Sequence, residues 1–198
     1  MIHSKCMELI LVRHGETKEG KKGILLGRMP GTLTAEGRRF ANKAGRAISK
    51  FSPRPAFIVS SDLRRAKDTA RIIARVIHIP LKYESLLRER NGGIAEGKKE
   101  SQINWKKYEK KPLAYRYHEG GESFIDVKGR ANTFLNKIRK EKRSPIVIVS
   151  HQAFLAMLLS AIFGWSYARA LKFDFRDKLV VINTKNKTGV GKIPLLRS

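Results

Sequence analysis

The stretch Glu8-Leu9-Ile10-Leu11-Val12-Arg13-His14-Gly15-Glu16-Thr17 decides how the rest of the chain is read. Four consecutive apolar residues, Leu9 to Val12, suit a strand buried on both faces, as in the middle of a parallel sheet. The apolar run then gives way to an arginine, an imidazole and a glycine. In an open α/β sheet, ligands bind in the crevice at the carboxyl ends of the strands, where loops and helix N-termini converge. A cation and an imidazole at that place suit a phosphate group. A second run, Pro145-Ile146-Val147-Ile148-Val149-Ser150-His151, repeats the design of a buried strand that ends on a histidine. The two histidines are expected to face one crevice.

At 198 residues the chain is long enough for one domain with a substantial core. A hydrophobic content of 41% and 30% charged residues are ordinary for a globular protein, whereas a net charge of +25 is not. Such a surface attracts nucleic acid, anionic membrane or phosphorylated small molecules. The basic residues are dispersed over Lys18 to Arg28, Arg38 to Lys50, Lys98 to Arg116, Lys137 to Arg143 and Lys185 to Lys192, which reads as a solvated surface with no specific nucleic-acid site. Cys6 is the only cysteine, so an internal disulfide and a cysteine cage for a metal are excluded. With no signal-peptide pattern in Met1 to Met7, a cytoplasmic location is expected. The longest uncharged stretch, Gln152 to Ala168, falls short of the roughly 20 residues needed to cross a bilayer and reads as a buried helix. No membrane role is expected.

Along the chain, Lys18 to Gly31 lacks an apolar period and reads as a loop over the crevice. Thr34 is a candidate N-cap for a helix with Phe40, Ala44, Ile48 and Phe51 on one face, and Ser52-Pro53-Arg54-Pro55 ends it. Ala56 to Ser60 reads as a strand, and Ser61-Asp62-Leu63 opens a helix whose first turn carries Arg64 and Arg65. Either guanidinium there reinforces the preference of a helix N-terminus for anions. Pro80 to Leu87 reads as a short strand. Ser101 to Tyr117 mixes Trp105, Tyr108 and Tyr115 with many lysines and reads as a lid with its aromatics turned inward. Ser123 and Asp126 form a capping-box pattern for a helix with Val127, Ala131, Phe134, Leu135 and Ile138 inside. Leu179 to Asn183 is the last expected strand, followed by a basic, partly ordered tail from Thr184.

Arg-His-Gly-Glu-Thr at 13 to 17, Ser-Asp-Leu-x-Arg-Ala-x-x-Thr-Ala at 61 to 70 and Val-Ser-His at 149 to 151 together resemble the histidine phosphatase superfamily, which includes the phosphoglycerate mutases. The likeness spans roughly Glu8 to Asn183. It implies that His14 is the nucleophile, forming a phosphohistidine, with a backbone carbonyl fixing its tautomer. It implies that Arg13, Arg65 and His151 bind the phosphate, and that Glu89 is the proton donor, with Gly93 and Glu96-Gly97 at the family's offsets. Glu96 stays open as the alternative acid. The chain departs from the family at Gly20, where an asparagine usually contacts phosphate, and at Gln152-Ala153, where glycines usually follow the second histidine. Gly120-Gly121-Glu122-Ser123 resembles a family turn, in which Glu122 orients a site cation or is structural.

The expectation is therefore a single domain over residues 1–198, a three-layer α/β/α sandwich with a largely parallel central sheet and a small lid insertion at about 90–122. The function expected is a metal-independent phosphomonoesterase with no cofactor, acting on a phosphorylated small-molecule substrate. About 22 residues between Gly97 and Gly120 resemble the compact phosphatases, whereas mutases carry a longer insertion. A cofactor-dependent phosphoglycerate mutase is the alternative on the same fold, and a basic polyanion-binding protein without turnover is the alternative from another class. Sequence leaves the oligomeric state and the natural substrate open.

Overall fold

A computed structural model describes residues 7–184 and 190–195. Its centre is the first strand, β1 (Glu8–Arg13), in which Leu9 to Val12 have no solvent exposure. Successive side chains of a strand point to opposite faces, so β1 feeds two separate cores. Leu9 and Leu11 join the core on one face of the sheet, and Ile10 and Val12 join the core on the other. Such a strand must have helices over both faces, and it does.

The sheet order is β3 (Leu81–Tyr83), β2 (Phe57–Ser60), β4 (Ile146–Ser150), β1, β5 (Lys178–Asn183) and β6 (Val190–Pro194). The first four of these run parallel, with Leu9 opposite Ile146 and Arg13 opposite Ser150, while β5 pairs antiparallel with β1 and β6 antiparallel with β5. One face is covered by α2 (Ala35–Ile48) and α3 (Arg64–Ile77). The other carries α5 (Phe124–Ile138), α6 (Gln152–Phe163) and α7 (Tyr167–Lys172). This is the three-layer α/β/α sandwich, with four parallel strands in a mixed sheet of six.

The helix starts follow capping chemistry. Thr34 accepts from the Gly37 amide at 3.0 Å. Ser123 accepts from the Asp126 amide at 3.3 Å, while the Asp126 carboxylate accepts from the Ser123 amide at 2.9 Å, the reciprocal box read from the sequence. Gln152 to Phe163 is a buried helix, and among the described residues no helix is long and apolar enough to cross a membrane.

Three expectations need correction. The loop at 18 to 31 contains a helical turn, α1 (Lys18–Lys21), because the Thr17 hydroxyl accepts from the Gly20 amide at 3.1 Å and caps it. The strand expected from Pro80 to Leu87 ends at Tyr83. The Glu84 carboxylate accepts from the Leu86 amide and turns the chain into a 3-10 turn, Ser85–Leu87, that buries Leu87. The basic tail contributes β6, whose Val190 to Pro194 pair with β5; residues 185–189 and 196–198 lie outside the described residues. The aromatics between Ser101 and Tyr117 turn inward only in part, with Trp105 37% exposed. Across 90–122 the chain forms 3-10 turns at Gly93–Ala95, Glu100–Gln102 and Leu113–Tyr115 and the short helix α4 (Trp105–Glu109). Tyr108 packs inside, but Tyr115 and Tyr117 stay 54% and 44% exposed.

Two glycines bring the loop after β1 against the start of α2. A Cβ on Gly37 would lie 2.3 Å from the Glu16 carbonyl oxygen, and one on Gly15 would lie 2.4 Å from that of Gly37. Gly129, on α5, faces open space. Alanine is favoured over glycine in a helix by about 1 kcal/mol, so Gly129→Ala is expected to stabilise the protein by that order. Gly37→Ala is expected to destabilise it by ~1–3 kcal/mol through overpacking, despite the same helical gain. Urea unfolding of the two variants checks both signs.

Candidate active site

Parallel pairing of β1 with β4 puts their carboxyl ends side by side, and the chemistry-bearing residues leave the sheet there. Arg13 is the last residue of β1, and the His14 amide donates to the Ser150 carbonyl at 2.9 Å. His151 follows β4 directly, extended at φ −130° and ψ 165°, at the start of α6. The two imidazoles lie against each other, with ring centroids 5.1 Å apart. Arg65 comes from the first turn of α3, and Glu89 from the segment after the 3-10 turn that replaces the expected strand. Arg13, His14, Arg65 and Glu89 all line one cavity of about 580 Å³. His151 has no solvent exposure and lies behind His14, outside that lining.

His14 Nδ1 is 2.8 Å from the Gly15 carbonyl oxygen, which can only accept, so Nδ1 carries the proton. Nε2 then has a free lone pair, and it accepts from Arg65 Nε at 3.2 Å. Burial, reinforced by the charges of Arg65 and Arg13, holds the His14 pKa well below the usual histidine value, so the ring is neutral. The loop is pinned in turn by Thr69, which donates to the Arg65 carbonyl at 2.8 Å and accepts from the Gly15 amide at 3.1 Å.

Arg65 is 1% exposed, and its other two nitrogens donate to the carbonyls of Met29 at 2.7 Å and Gly27 at 2.6 Å. Arg64 points outward, 64% exposed, toward Asp68. The structure thus brings Arg65, not Arg64, to the cavity. Burial pulls the proton affinity of Arg13 and Arg65 down while Glu89 pulls it up. His151 Nε2 lies 2.9 Å from Ser61 Oγ, and its Nδ1, shielded from water, has no hydrogen-bond partner. Burial and then Arg65 depress its pKa well below the ordinary value, so it too is neutral.

The Glu89 carboxylate sits on two amides, accepting from Arg90 N at 2.8 Å and Ala153 N at 3.4 Å. Its backbone is held by a side chain that the sequence reading passed over. Arg130, on α5, donates to the carbonyls of Leu86, Arg88 and Glu89 at 2.6, 3.1 and 3.4 Å, and is gripped by both oxygens of Glu122 at 2.8 and 2.9 Å. Glu122 also takes Arg28 at 2.9 Å and the Asn91 amide at 2.9 Å. The cations Glu122 orients are therefore Arg28 and Arg130, outside the cavity lining. Glu122 stands just ahead of the Ser123 cap and Arg130 lies in the middle of α5, so helical spacing does not reveal the pair.

Glu96 is a brace. Its Oε1 accepts from the amides of Arg28 and Gly92, both at 2.8 Å, and so ties the loop that holds Arg65 to the segment after Glu89. Gln152 donates to the Phe173 carbonyl at 2.7 Å and accepts from the Phe175 amide at 3.4 Å, fixing the cavity wall that carries Arg176 and Asp177. Gly20, at the family's asparagine position, offers only backbone to the lining. Among the described residues no three His, Cys, Asp or Glu side chains gather as metal ligands.

This arrangement offers a neutral imidazole whose Nε2 lone pair faces the Arg65 guanidinium, with Arg13 and a carboxyl group at the same cavity. That is the equipment for taking a phosphoryl group onto nitrogen.

The chain matches the model of the histidine phosphatase superfamily, branch 1, over residues 9–190. It is 34% identical over 167 residues to a metal-independent phosphoserine phosphatase of Arabidopsis thaliana, covering 78% of this chain and 68% of that one. It is 30% identical over 164 residues to a probable phosphoglycerate mutase of Salmonella choleraesuis, covering 80% and 75%. Among solved structures, a mycobacterial glucosyl-3-phosphoglycerate phosphatase superposes with a TM-score of 0.77 at 25% identity, over 88% of this chain and 90% of that one. The α-ribazole phosphatase of Shigella flexneri superposes with a TM-score of 0.78 at 25% identity, over 88% and 89%. The motifs, the fold and these likenesses agree: the chain belongs to branch 1 of the histidine phosphatase superfamily and is an enzyme of the phosphoric monoester hydrolase class.

Proposed function

We propose that the protein hydrolyses the phosphate monoester of a small metabolite through a phosphohistidine on His14, without a metal. The observation that carries this reading is the His14 hydrogen-bond pattern: Nδ1 protonated and tied to Gly15, Nε2 unprotonated and accepting from Arg65. Phosphate monoesters resist attack because the anionic phosphoryl group repels nucleophiles, so charge must be neutralised and the nucleophile aligned. Arg13 and Arg65 supply guanidinium forks that match phosphoryl oxygens. The unpartnered Nδ1 of His151 supports a further contact.

In the first step Nε2 of His14 attacks phosphorus, the P–O bond to the leaving group breaks, and protonated Glu89 gives its proton to the leaving oxygen. In the second, Glu89 takes a proton from water as that water attacks phosphorus. The P–N bond breaks, and inorganic phosphate leaves a neutral His14. The mutase reading, which the likeness to a probable phosphoglycerate mutase supports, shares the first step and returns the phosphoryl group to an acceptor alcohol in the second.

His14→Ala is expected to abolish turnover, and an acid-free quench of the wild type with mass spectrometry should locate the phosphoryl adduct on His14; an adduct on His151 reverses the roles. With 3-phosphoglycerate, free phosphate is expected to form faster than 2-phosphoglycerate.

General acid help is worth ~10² to 10⁴ in rate, and most of that is felt with poor leaving groups. Glu89→Gln should therefore slow phosphorylation of His14 by an alkyl phosphate far more than by p-nitrophenyl phosphate, read in single turnovers. Equal slowing of both substrates removes Glu89 from the acid's role.

The neutral histidines also make stability pH-dependent. Both have folded pKa values below the unfolded value of about 6.5, so below that pH the unfolded chain binds protons that the native chain does not. Stability is fully present above pH 6.5 and falls on acidification, by up to about 1.4 kcal/mol per pH unit for each histidine. Urea midpoints between pH 7.5 and 5.5 should show a shallower slope in His151→Gln than in the wild type.

A further inference from the structure

A second cavity, of about 410 Å³, lies in the segment 90–122 and shares no lining residue with the first. One wall is a stack of aromatic rings. His118 lies flat on Tyr108, with centroids 4.6 Å apart and 22° between planes, and Trp105 meets both edge-on. Burial, with Arg90 and Lys98 nearby, lowers the His118 pKa, and the guanidiniums of Arg90 and Arg116 lie over the Tyr108 ring, 5.6 and 5.9 Å from its centroid. Ile94, Ala95 and Ile103 add an aliphatic floor, in which Ile94 is 56% exposed although it is a large apolar side chain.

The mouth is cationic. Lys98, Lys107 and Lys111 line the cavity against a single acid, Glu119, and among the described residues no carboxylate pairs with any of the three lysines. Lys111 instead caps the exposed ring of Tyr117, 3.8 Å from its centroid. Concave, mostly apolar sites of this size with a few convergent polar groups suit small molecules. The charge at the mouth selects an anion, and the flat wall selects a ring.

We propose that this cavity is a second ligand site, separate from the catalytic one, for a small organic anion with a flat aromatic body. The ring lies along the Tyr108–His118 wall over Ile94, and the anionic group meets Lys98 and Lys107.

The test is a titration of the full ¹⁵N-labelled chain with 2-naphthalenesulfonate, whose sulfonate the catalytic site does not hydrolyse, in 0.15 M salt. Saturable shifts are expected at the amides of Ile94, Lys98, Lys107 and Tyr117. Orthovanadate, a phosphate mimic for the catalytic cavity, should not displace the ligand, and His14→Ala should bind it with unchanged affinity, so the outcome is independent of the phosphohistidine reading. The double variant Lys98→Glu/Lys107→Glu, altered only at exposed positions, should bind at least 10-fold more weakly, as should Ile94→Asp. Neutral 2-naphthol should bind the wild type at least 10-fold more weakly than the sulfonate. Shifts centred on Gly15 and Gly27, displacement by vanadate, or unchanged affinity in the double variant would overturn the proposal. So would shifts spread over the basic faces of α2 and α3 that vanish in 0.5 M salt, which would mark a diffuse polyanion surface.

Discussion

The rest of the site depends on one buried cation. Arg65 is 1% exposed, and removing a guanidinium from water is costly unless its donors are satisfied. Here they are satisfied by two carbonyls, Gly27 and Met29, and by the lone pair of His14. Carbonyl contacts leave the positive charge uncompensated, so the group is held in place without being neutralised. An arginine paired with a carboxylate would be more comfortable and less useful, because an incoming phosphoryl group would have to displace that partner.

The carbonyls must themselves be fixed, and carboxylates do this at one remove. Glu96 fixes the Arg28 amide between them and, through the same oxygen, the Gly92 amide. Glu122 takes Arg28, Asn91 and Arg130, and Arg130 spans the carbonyls of Leu86 to Glu89. The loop that seats Arg65 and the segment that presents Glu89 are thus cross-linked by two acids outside the cavity lining. Breaking either link leaves buried charges or amides unpaired, which is more damaging than the modest net worth of an intact pair suggests.

The fold was legible where burial imposes a pattern. Runs such as Leu9–Val12 and Ile146–Val149 admit only a two-face-buried strand, and Ser123 with Asp126 admits a capped helix. The site was legible where residue type and spacing carry chemistry: Arg13, His14, Arg65 and Glu89 reach one cavity, with His151 behind it. What escaped was decided by contacts distant in sequence. The strand ending at Tyr83 stops because Glu84 caps a tight turn, and Val190–Pro194 gains strand structure only because β5 offers a free edge. The roles of Glu96 and Arg130 were likewise invisible, because each reaches backbone groups 4 to 68 residues away, and backbone carries no sequence signal.

The electrostatics of the site follow from that construction. Burial, reinforced by Arg13 and Arg65, suppresses protonation of His14 and His151, so the site concentrates its positive charge on guanidiniums and keeps these two histidines neutral. Neutrality serves the two rings differently. In the proposed mechanism His14 attacks through a lone pair, and the Gly15 carbonyl commits it to the tautomer that has one at Nε2. His151 has no such anchor at Nδ1, and its ring hydrogen-bonds only to Ser61, whose hydroxyl donates or accepts with equal ease. On the proposed reading, a phosphoryl dianion between the arginines would offset their part of the depression at His151, leaving the part due to burial. His14, committed to Gly15 on one side and facing phosphorus on the other, gains nothing from a proton. On that reading the same charge acts differently on two adjacent histidines, and the Gly15 carbonyl is the difference between them.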